Sequence, residues 1–405
     1  MSGFLDALLL QAGYNAALVM IGSGLLGFAA GTSGTFMFLR KRALVSDAVA
    51  HATLPGIGIA FIVMVLLGGD GRNLVGLLIG SAATAWIGLL LIEWIARRTR
   101  LAEDAAIGAV LGVFFGIGIV LLTVIQTMSA GRQAGLESFL LGSTAGMLYS
   151  DAVVIAIGGS IAVLATWFMR RPMTLVSFDP EYAAALGYNV RRIDLTMMGL
   201  VMMVTVIGLK LVGLILIVAM LIIPAVTARF WTERSNRILW IAGCIGGVAA
   251  YVGAAISASA PAVPTGPIIV LVTAVMFVLS LIFAPVRGVS AAIIRHRRFQ
   301  ARVHRRQGLL SLARQEPIRE PYTLRLLARE GLIRPDGVPT EAGRAQAAKV
   351  ARDERRWAVA REVHQDAGLT GRYDGLTPIE DVFTRDEIKD FDRRLGTPFP
   401  VEGLA

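Results

Sequence analysis

The chain has 405 residues, of which 55% are hydrophobic and 17% are charged, and its formal net charge is +10 at pH 7. Residues 1–286 carry 28 charged residues, whereas the last 119 residues carry 40. The first part is too apolar and too irregular for a disordered, collagen-like or coiled-coil protein, and it indicates a membrane domain. The second part has the charge density of a domain exposed to water.

Apolar runs between charged residues predict the membrane-spanning helices. A helix rises about 1.5 Å per residue, so about 20 apolar residues cross a bilayer core of about 30 Å. Such runs cover residues 15–39, 50–67, 74–96, 105–125, 153–169, 193–228, 238–256 and 267–283. The run over 193–228 is too long for one crossing and has Lys210 near its middle, so we divide it there into 195–209 and 211–227. This gives nine spans, or eight if the region around Lys210 does not cross twice.

The basic residues of the loops predict the orientation, because cytoplasmic loops are enriched in Lys and Arg. Clusters follow the first, third, fifth, seventh and ninth spans, at 40–42, 97–100, 170–171, 229–237 and 287–295. The N-terminus is therefore predicted outside and the C-terminus inside the cell. Three segments follow from this orientation: a transmembrane domain over 1–286, a basic juxtamembrane linker over 287–308 and a cytoplasmic C-terminal domain over 309–405.

Glycines recur at four-residue spacing inside several of these runs. They are Gly76 with Gly80, Gly108 with Gly112 and Gly116, and Gly243 with Gly247. In lipid, small residues at this spacing let two helix backbones approach closely. The pattern therefore predicts a compact bundle.

The start of the second span reads SDAVAHATLPG, in which Asp47 and His51 are four residues apart. On a helix, this spacing places both side chains on one face. A carboxylate and an imidazole form half of a site for Mn²⁺, Zn²⁺ or Fe²⁺, and two halves from two subunits would supply four ligands. Two alternatives stay open at this point: Asp47 caps the helix N-terminus, and His51 forms a hydrogen bond within the bundle.

Residues 178–190 lie between the fifth and sixth spans and predict a short cytoplasmic helix. Asp179 and Pro180 are typical of an N-cap followed by a first-turn proline, and Gly187 can end a helix in the left-handed conformation. A helix of this length would fit a groove on a cytoplasmic partner, and a simple interfacial loop is the alternative. The sequence contains no G-x-x-x-x-G-K-[ST] loop, so ATP, if it drives transport, binds to another chain.

Several stretches resemble the integral-membrane permeases of ATP-binding-cassette importers for manganese, zinc and iron. They are SDAVAHATLPGIGIAF, FDPEYAAALGYNV, KLVGLILIVAMLIIPAVTAR and PTGPIIVL, and the resemblance runs from about residue 14 to 285. It implies that Asp47 and His51 bind the transported metal. It also implies a coupling helix that docks into the ATPase subunit, with the residues Asp179, Glu181, Ala183, Ala184 and Gly187.

The same resemblance implies the partners and the location. Permeases of this kind work with ATP-binding-cassette ATPase subunits, a second permease that is identical or paralogous, and an extracytoplasmic metal-binding protein. They lie in the plasma (inner) membrane of bacteria. They carry no permanently bound cofactor, because the divalent metal is the cargo.

The tail begins with basic residues over 295–306, which we expect to lie against anionic lipid rather than nucleic acid because the segment is tethered to the membrane. Residues 326–357 resemble the end of a winged helix and the next helix of iron-dependent repressors. Those regulators have a Glu-His pair of metal ligands where this chain has Glu380 and Asp381. We therefore interpret the tail as a degenerate cytoplasmic domain that regulates through contacts with the ATPase subunits.

Together these observations predict an all-α polytopic permease that has no enzymatic activity of its own. Manganese is favoured over zinc or iron, because one carboxylate per imidazole suits a harder ion and because of the tail. Two other classes stay open: a gradient-driven secondary metal transporter, and a membrane-tethered, metal-responsive regulator.

Overall fold

The computed structural model describes residues 2–69, 71, 73–128, 147–259, 263–363 and 375–396. The chain divides into two compact units, Met1–Ala291 and Ala292–Ala405. Across the described ranges the regular structure is helical, and one isolated antiparallel bridge joins Ile333 and Pro339. The predicted all-α fold is confirmed.

The first unit is a bundle of apolar helices. Its helices are α1 (Ser2–Leu8), α2 (Tyr14–Leu39), α3 (Ala43–Leu66), α4 (Leu74–Arg98), α5 (Glu103–Thr127), α6 (Tyr149–Phe168), α7 (Arg170–Phe178), α8 (Pro180–Ala185), α9 (Val190–Val212), α10 (Leu214–Trp231), α11 (Ser235–Ser259) and α12 (Thr265–Phe283). Within the described residues, eight helices are long and apolar enough to cross a membrane: α2, α3, α4, α5, α6, α9, α11 and α12. Helix α10 is a shorter apolar helix between two of them.

The long apolar run is interrupted at Gly213, so the predicted division at Lys210 is wrong. Helix α9 continues through position 210 to Val212, and α10 begins at Leu214. Gly213 has a φ of +80°, which glycine adopts without the steric cost that a side chain would add. The 18 residues of α10 span about 27 Å, slightly less than a bilayer core.

Helix α2 lies at the centre of the bundle and packs against α11 through glycines. A Cβ atom at Gly27 would lie 2.3 Å from the carbonyl oxygen of Gly246, and one at Gly31 would lie 2.3 Å from that of Ala242. The predicted close packing is confirmed at Gly80, Gly243 and Gly247, each of which faces a neighbouring helix. At Gly108, Gly112 and Gly116 a Cβ atom would have no heavy atom of another described helix of this chain within 4 Å, so close packing at these three positions stays a prediction.

The second unit contains short helices around two small hydrophobic clusters. Its helices are α13 (Val289–Ala313), which covers most of the predicted linker, α14 (Pro321–Arg329), α15 (Glu341–Val363), a 3₁₀ turn (Ile379–Asp381) and α16 (Arg385–Leu395). One cluster is centred on Leu309, Leu327 and Leu332, and the other on Trp357 and Phe391. Edge-to-face aromatic pairs of Phe383 with Trp357 and with Phe391 stabilise the second cluster.

Candidate metal site and coupling helix

Asp47 and His51 lie on one face of α3, as their spacing predicts. Helix α3 begins at Ala43, before the apolar run, so Asp47 is its fifth residue and Arg42 is its N-cap. The alternative in which Asp47 caps the helix is therefore wrong. His51 lies about 12 Å along the helix from its first residue, inside a helix that is long and apolar enough to cross a membrane.

The two side chains form a loose pair that other groups can join. Nε2 of His51 is 3.5 Å from Oδ1 of Asp47, which is longer than a typical N–H···O hydrogen bond of about 2.9 Å. The Asp47 side chain is 38% exposed and the His51 side chain is 19% exposed. The carboxylate therefore keeps oxygen atoms free for a cation.

Packing against an aromatic ring holds the imidazole in place. The rings of His51 and Phe115, on α5, meet edge to face with centroids 5.0 Å apart and an interplanar angle of 87°. Nδ1 of His51 is buried and has no hydrogen-bond partner among the described residues. An unsatisfied buried polar atom costs about 1–3 kcal/mol, so this nitrogen can accept a partner that the described residues do not supply.

Close backbone contacts fix α3 between α4 and α5. A Cβ atom at Gly56 would lie 2.1 Å from the carbonyl oxygen of Gly80, on α4. On the other side, a Cβ atom at Gly118 of α5 would lie 2.5 Å from Cβ of Leu54. Since both neighbours touch α3 within a few residues of His51, the face that carries Asp47 and His51 has a defined orientation in the bundle.

The described part of this chain supplies only two ligand side chains at the pair. In those residues there is no group of three or more His, Cys, Asp or Glu side chains that could hold a metal ion. Transition metals in proteins have four or more ligands, so the pair alone supplies at most half of the ligands that such an ion needs. Beside it lies the open face of α5, where Gly108, Gly112 and Gly116 share a side of the helix with Phe115.

The segment between α7 and α9 forms the predicted short helix, α8, so the loop alternative is wrong. Oδ1 of Asp179 accepts a hydrogen bond of 2.9 Å from the backbone N–H of Tyr182, and Pro180 occupies the first turn. Gly187 follows the helix with a φ of +86°. Each of the three end signals therefore has the structural role that its residue type predicts.

The structure separates the residues predicted for coupling into two groups. Glu181 and Ala184 are exposed, whereas Ala183 is buried in the main hydrophobic cluster of the bundle. Ala183 therefore anchors α8 to the bundle rather than facing a partner. Sequence reasoning missed four large exposed side chains around the helix: Phe178, Tyr182, Leu186 and Tyr188. Their clustering in the short segment between two predicted spans was the available signal.

Comparison with known proteins matches residues 14–284 to the ABC 3 transport family. The chain belongs to this family. Asp47, His51 and all of α8 lie inside the matched region, and the tail lies outside it. The predicted resemblance to ATP-binding-cassette permeases is confirmed for the membrane part of this ABC 3 chain, whereas the resemblance of the tail to iron-dependent repressors stays a prediction.

Relatives in bacteria are similar over most of this part. The chain is 41% identical over 301 residues to the manganese transport system membrane protein MntC of Bacillus subtilis (strain 168), covering 74% of this chain and 68% of that protein. It is 37% identical over 286 residues to the zinc transport system membrane protein TroC of Treponema pallidum (strain Nichols), covering 70% and 94%. The ABC 3 chain is thus a multi-pass protein of the bacterial plasma membrane.

A solved structure has the same fold. PsaBC from Streptococcus pneumoniae in complex with Fab superposes with a TM-score of 0.61 at 29% sequence identity, covering 71% of this chain and 97% of that chain. The similarity therefore extends from the sequence motifs to the arrangement of the helices.

Proposed function

We propose that this chain is the membrane-spanning permease subunit of an ATP-binding-cassette importer that moves Mn²⁺ or Zn²⁺ into the cytoplasm. The observation that carries the proposal is the pair Asp47 and His51 on one face of α3, at membrane depth, in a chain of the ABC 3 family. Ionisable residues inside a membrane are costly and are mostly functional. The names of the two relatives, one for manganese and one for zinc, agree with this cargo.

Asp47 and His51 bind the cargo through one carboxylate and one imidazole. This mixture suits Mn²⁺ better than a set of imidazoles or thiolates would, so we favour manganese over zinc or iron. The permease forms and breaks no covalent bond, because its step is to bind the ion and release it on the other side. ATP is hydrolysed on separate subunits.

A second permease subunit completes the metal site at the open face of α5. Gly108, Gly112 and Gly116 leave that face without bulky side chains, which lets a second membrane helix approach closely. His51 contacts Phe115 from the neighbouring part of the same helix. Two Asp-His pairs brought together there would supply four ligands, as the half-site requires.

Helix α8 is the docking point for the ATPase subunit. Tyr182 is 54% exposed and Leu186 is 55% exposed, with Phe178 and Tyr188 beside them. Aromatic and aliphatic side chains of this kind anchor protein interfaces. The buried Ala183 joins this surface to the bundle, so a movement of the ATPase is passed to the permease.

The tail has a lipid-binding segment and a degenerate regulatory domain. Helix α13 combines exposed Ile293, Ile294 and Phe299 with arginines, which suits an anionic membrane surface. Helix α14, the bridge between Ile333 and Pro339, and α15 follow in the order of a helix, a wing and a helix. Glu380, the one matching metal-ligand position, lies 3.5 Å from Nζ of Lys349, and this pairing argues against metal sensing.

Uptake of radiolabelled ions tests the proposal. Proteoliposomes that contain this chain with its ATPase should take up ⁵⁴Mn²⁺ in an ATP-dependent way, and Asp47→Ala and His51→Ala should abolish uptake without preventing assembly. Asp104→Ala removes an exposed carboxylate in the first turn of α5 and is the matched control. Uptake that persists in both site variants would contradict the metal site, and uptake without ATP would indicate a secondary transporter.

A further inference from the structure

Four charged side chains from three parts of the first unit form one cluster, which we call the Asp194 hub. Nε and Nη2 of Arg40 each donate to one carboxylate oxygen of Asp194, both at 3.2 Å. Nη1 of Arg42 lies 3.4 Å from Oδ2 of Asp194, and Nε of Arg42 lies 2.7 Å from Oε1 of Glu103. The Asp194 side chain is only 1% exposed, so this carboxylate depends on its two arginines.

The hub is hydrogen-bonded to both helices that flank α8, the proposed coupling helix. Asp194 lies in the first turns of α9, which follows α8. Nη1 of Arg40 also donates a 3.1 Å hydrogen bond to the backbone carbonyl of Val176, near the end of α7. Arg40 therefore bonds to α7, which precedes α8, and to α9, which follows it.

The same hub is tied to both helices that carry the candidate metal site. Arg40 and Arg42 belong to the turn between α2 and α3, and Arg42 is the residue before the first residue of α3, the helix of Asp47 and His51. Glu103 is the first residue of α5, the helix of Phe115. A displacement of the hub would therefore move the two helices whose side chains meet at His51.

The turn that carries the two arginines has a defined shape. The backbone N–H groups of Lys41 and Arg42 donate to the carbonyls of Phe38 and Met37 at 3.0 and 2.9 Å, which is the bonding pattern of a Schellman cap. Lys41 has a φ of +62°. These bonds hold the turn against the end of α2, so the two arginines have a fixed position relative to that helix.

We propose that the Asp194 hub is the mechanical link between the coupling helix and the metal site. Arg40, Arg42, Glu103 and Asp194 are positioning residues: they bind neither metal nor ATPase, and they make α3 and α5 follow the movement of α7, α8 and α9. The inference rests on the proposed importer function. It predicts a specific defect, in which ATP is still hydrolysed but the ion is not moved.

The test compares transport with ATP hydrolysis in the same proteoliposomes, prepared from the complete transporter. Asp194→Asn keeps the size of the side chain and removes its charge, while Glu103→Gln disrupts the more exposed arm of the hub. We expect ⁵⁴Mn²⁺ uptake to fall about tenfold in Asp194→Asn and by a smaller factor in Glu103→Gln. We expect ATP hydrolysis and Mn²⁺ binding to stay within about twofold of wild type. Asp194→Glu should recover part of the uptake.

Glu233→Gln is the matched control, because Glu233 pairs with Arg287 at 3.0 Å in an exposed ion pair of the same unit that shares no residue with the hub. It should leave the ratio of ions moved to ATP hydrolysed unchanged. A proportional fall of uptake and hydrolysis, or wild-type uptake, in folded hub variants would overturn the inference. If Asp194→Asn does not fold, Glu103→Gln decides by the same ratio. Wild-type transporter that shows no ATP-dependent uptake would instead reject the proposed importer function.

Discussion

The imidazole of His51 rests edge to face on the ring of Phe115, with the ring centroids 5.0 Å apart. This contact joins α3, which carries the two candidate ligands, to α5, whose remaining face is open. The geometry of a metal ligand is set by what its ring packs against as well as by its own helix. Under the proposed function, this contact positions one ligand of the metal, and the open face of α5 beside it receives the second permease.

Removing the ring of Phe115 should weaken metal binding. An aromatic edge-to-face pair contributes about 0.5–1.5 kcal/mol beyond burial, so Phe115→Leu should weaken Mn²⁺ affinity by about twofold to tenfold, measured by calorimetry on the purified transporter. Phe277→Leu, in the similar pair of Phe277 with Phe230, is the control and should leave the affinity unchanged. Equal affinities in all three proteins would show that Phe115 does not position His51.

Filling the open face of α5 should separate the two permeases without unfolding either. A side chain at Gly112 meets no described neighbour in the same chain, so Gly112→Leu should keep the wild-type melting temperature. It should reduce the cross-linked permease dimer in membranes, because close helix approach depends on small residues. A fall in melting temperature with normal cross-linking would mean that this face packs within the subunit.

Two neighbouring glycines of α2 should respond differently to alanine. A Cβ at Gly27 would lie 2.3 Å from the carbonyl oxygen of Gly246, whereas one at Gly24 would lie 3.6 Å from that of Gly247. Overpacking costs about 1–3 kcal/mol, so Gly27→Ala should lower the unfolding free energy in detergent by about that amount, and Gly24→Ala should change it little. Equal effects of the two substitutions would contradict the packing of α2 on α11.

Loss of an exposed aromatic on α8 should weaken binding of the ATPase. Truncating an anchor residue of an interface costs about 2 kcal/mol or more, so Tyr182→Ala should raise the Kd for the isolated ATPase subunit about thirtyfold or more. Tyr14→Ala, at the start of α2 and 72% exposed, is the control. Binding by Tyr182→Ala at wild-type strength would place the docking surface elsewhere.

The stability of the tail should depend on pH because Arg356 is paired with the carboxylate of Asp392. Arg356 donates to both carboxylate oxygens of Asp392 at 2.7 and 2.6 Å and so lowers the pKa of Asp392. A lowered folded pKa stabilises the tail above the unfolded pKa of about 4, and this contribution is lost as the pH falls through the folded value. Burial raises the pKa of Asp353, the second partner of Arg356. Ionisation of Asp353 therefore lowers the stability of the tail, which is opposite to the effect of Asp392.

In the full chain, Arg356→Gln should therefore speed amide hydrogen exchange in α15 and α16 at pH 7. The effect should be about 1 kcal/mol or less, because the Asp392 side chain is 43% exposed and water screens the pair. The difference from wild type should shrink below about pH 4. Arg394→Gln, which removes the exposed pair of Arg394 with Asp390, is the control. A difference that does not change with pH would rule out the contribution of the Asp392 charge.

The sequence alone determined the features that depend on residues close in the chain. The spacing of Asp47 and His51 sets their common face, because a helix repeats every 3.6 residues. Asp179, Pro180 and Gly187 define α8, since caps and first-turn prolines act within a few residues. Motifs in this region also indicated the family, which the comparison over 14–284 confirms.

Tertiary structure decided what depends on residues distant in the chain. Asp194 and Arg40 are 154 positions apart, and neither carries a sequence signal that predicts their ion pair. The break at Gly213 rather than Lys210, and the open face of α5, likewise depend on which neighbours each helix meets. Local spacing fixes the face on which a side chain lies, but only the packing of the whole bundle decides what that face contacts.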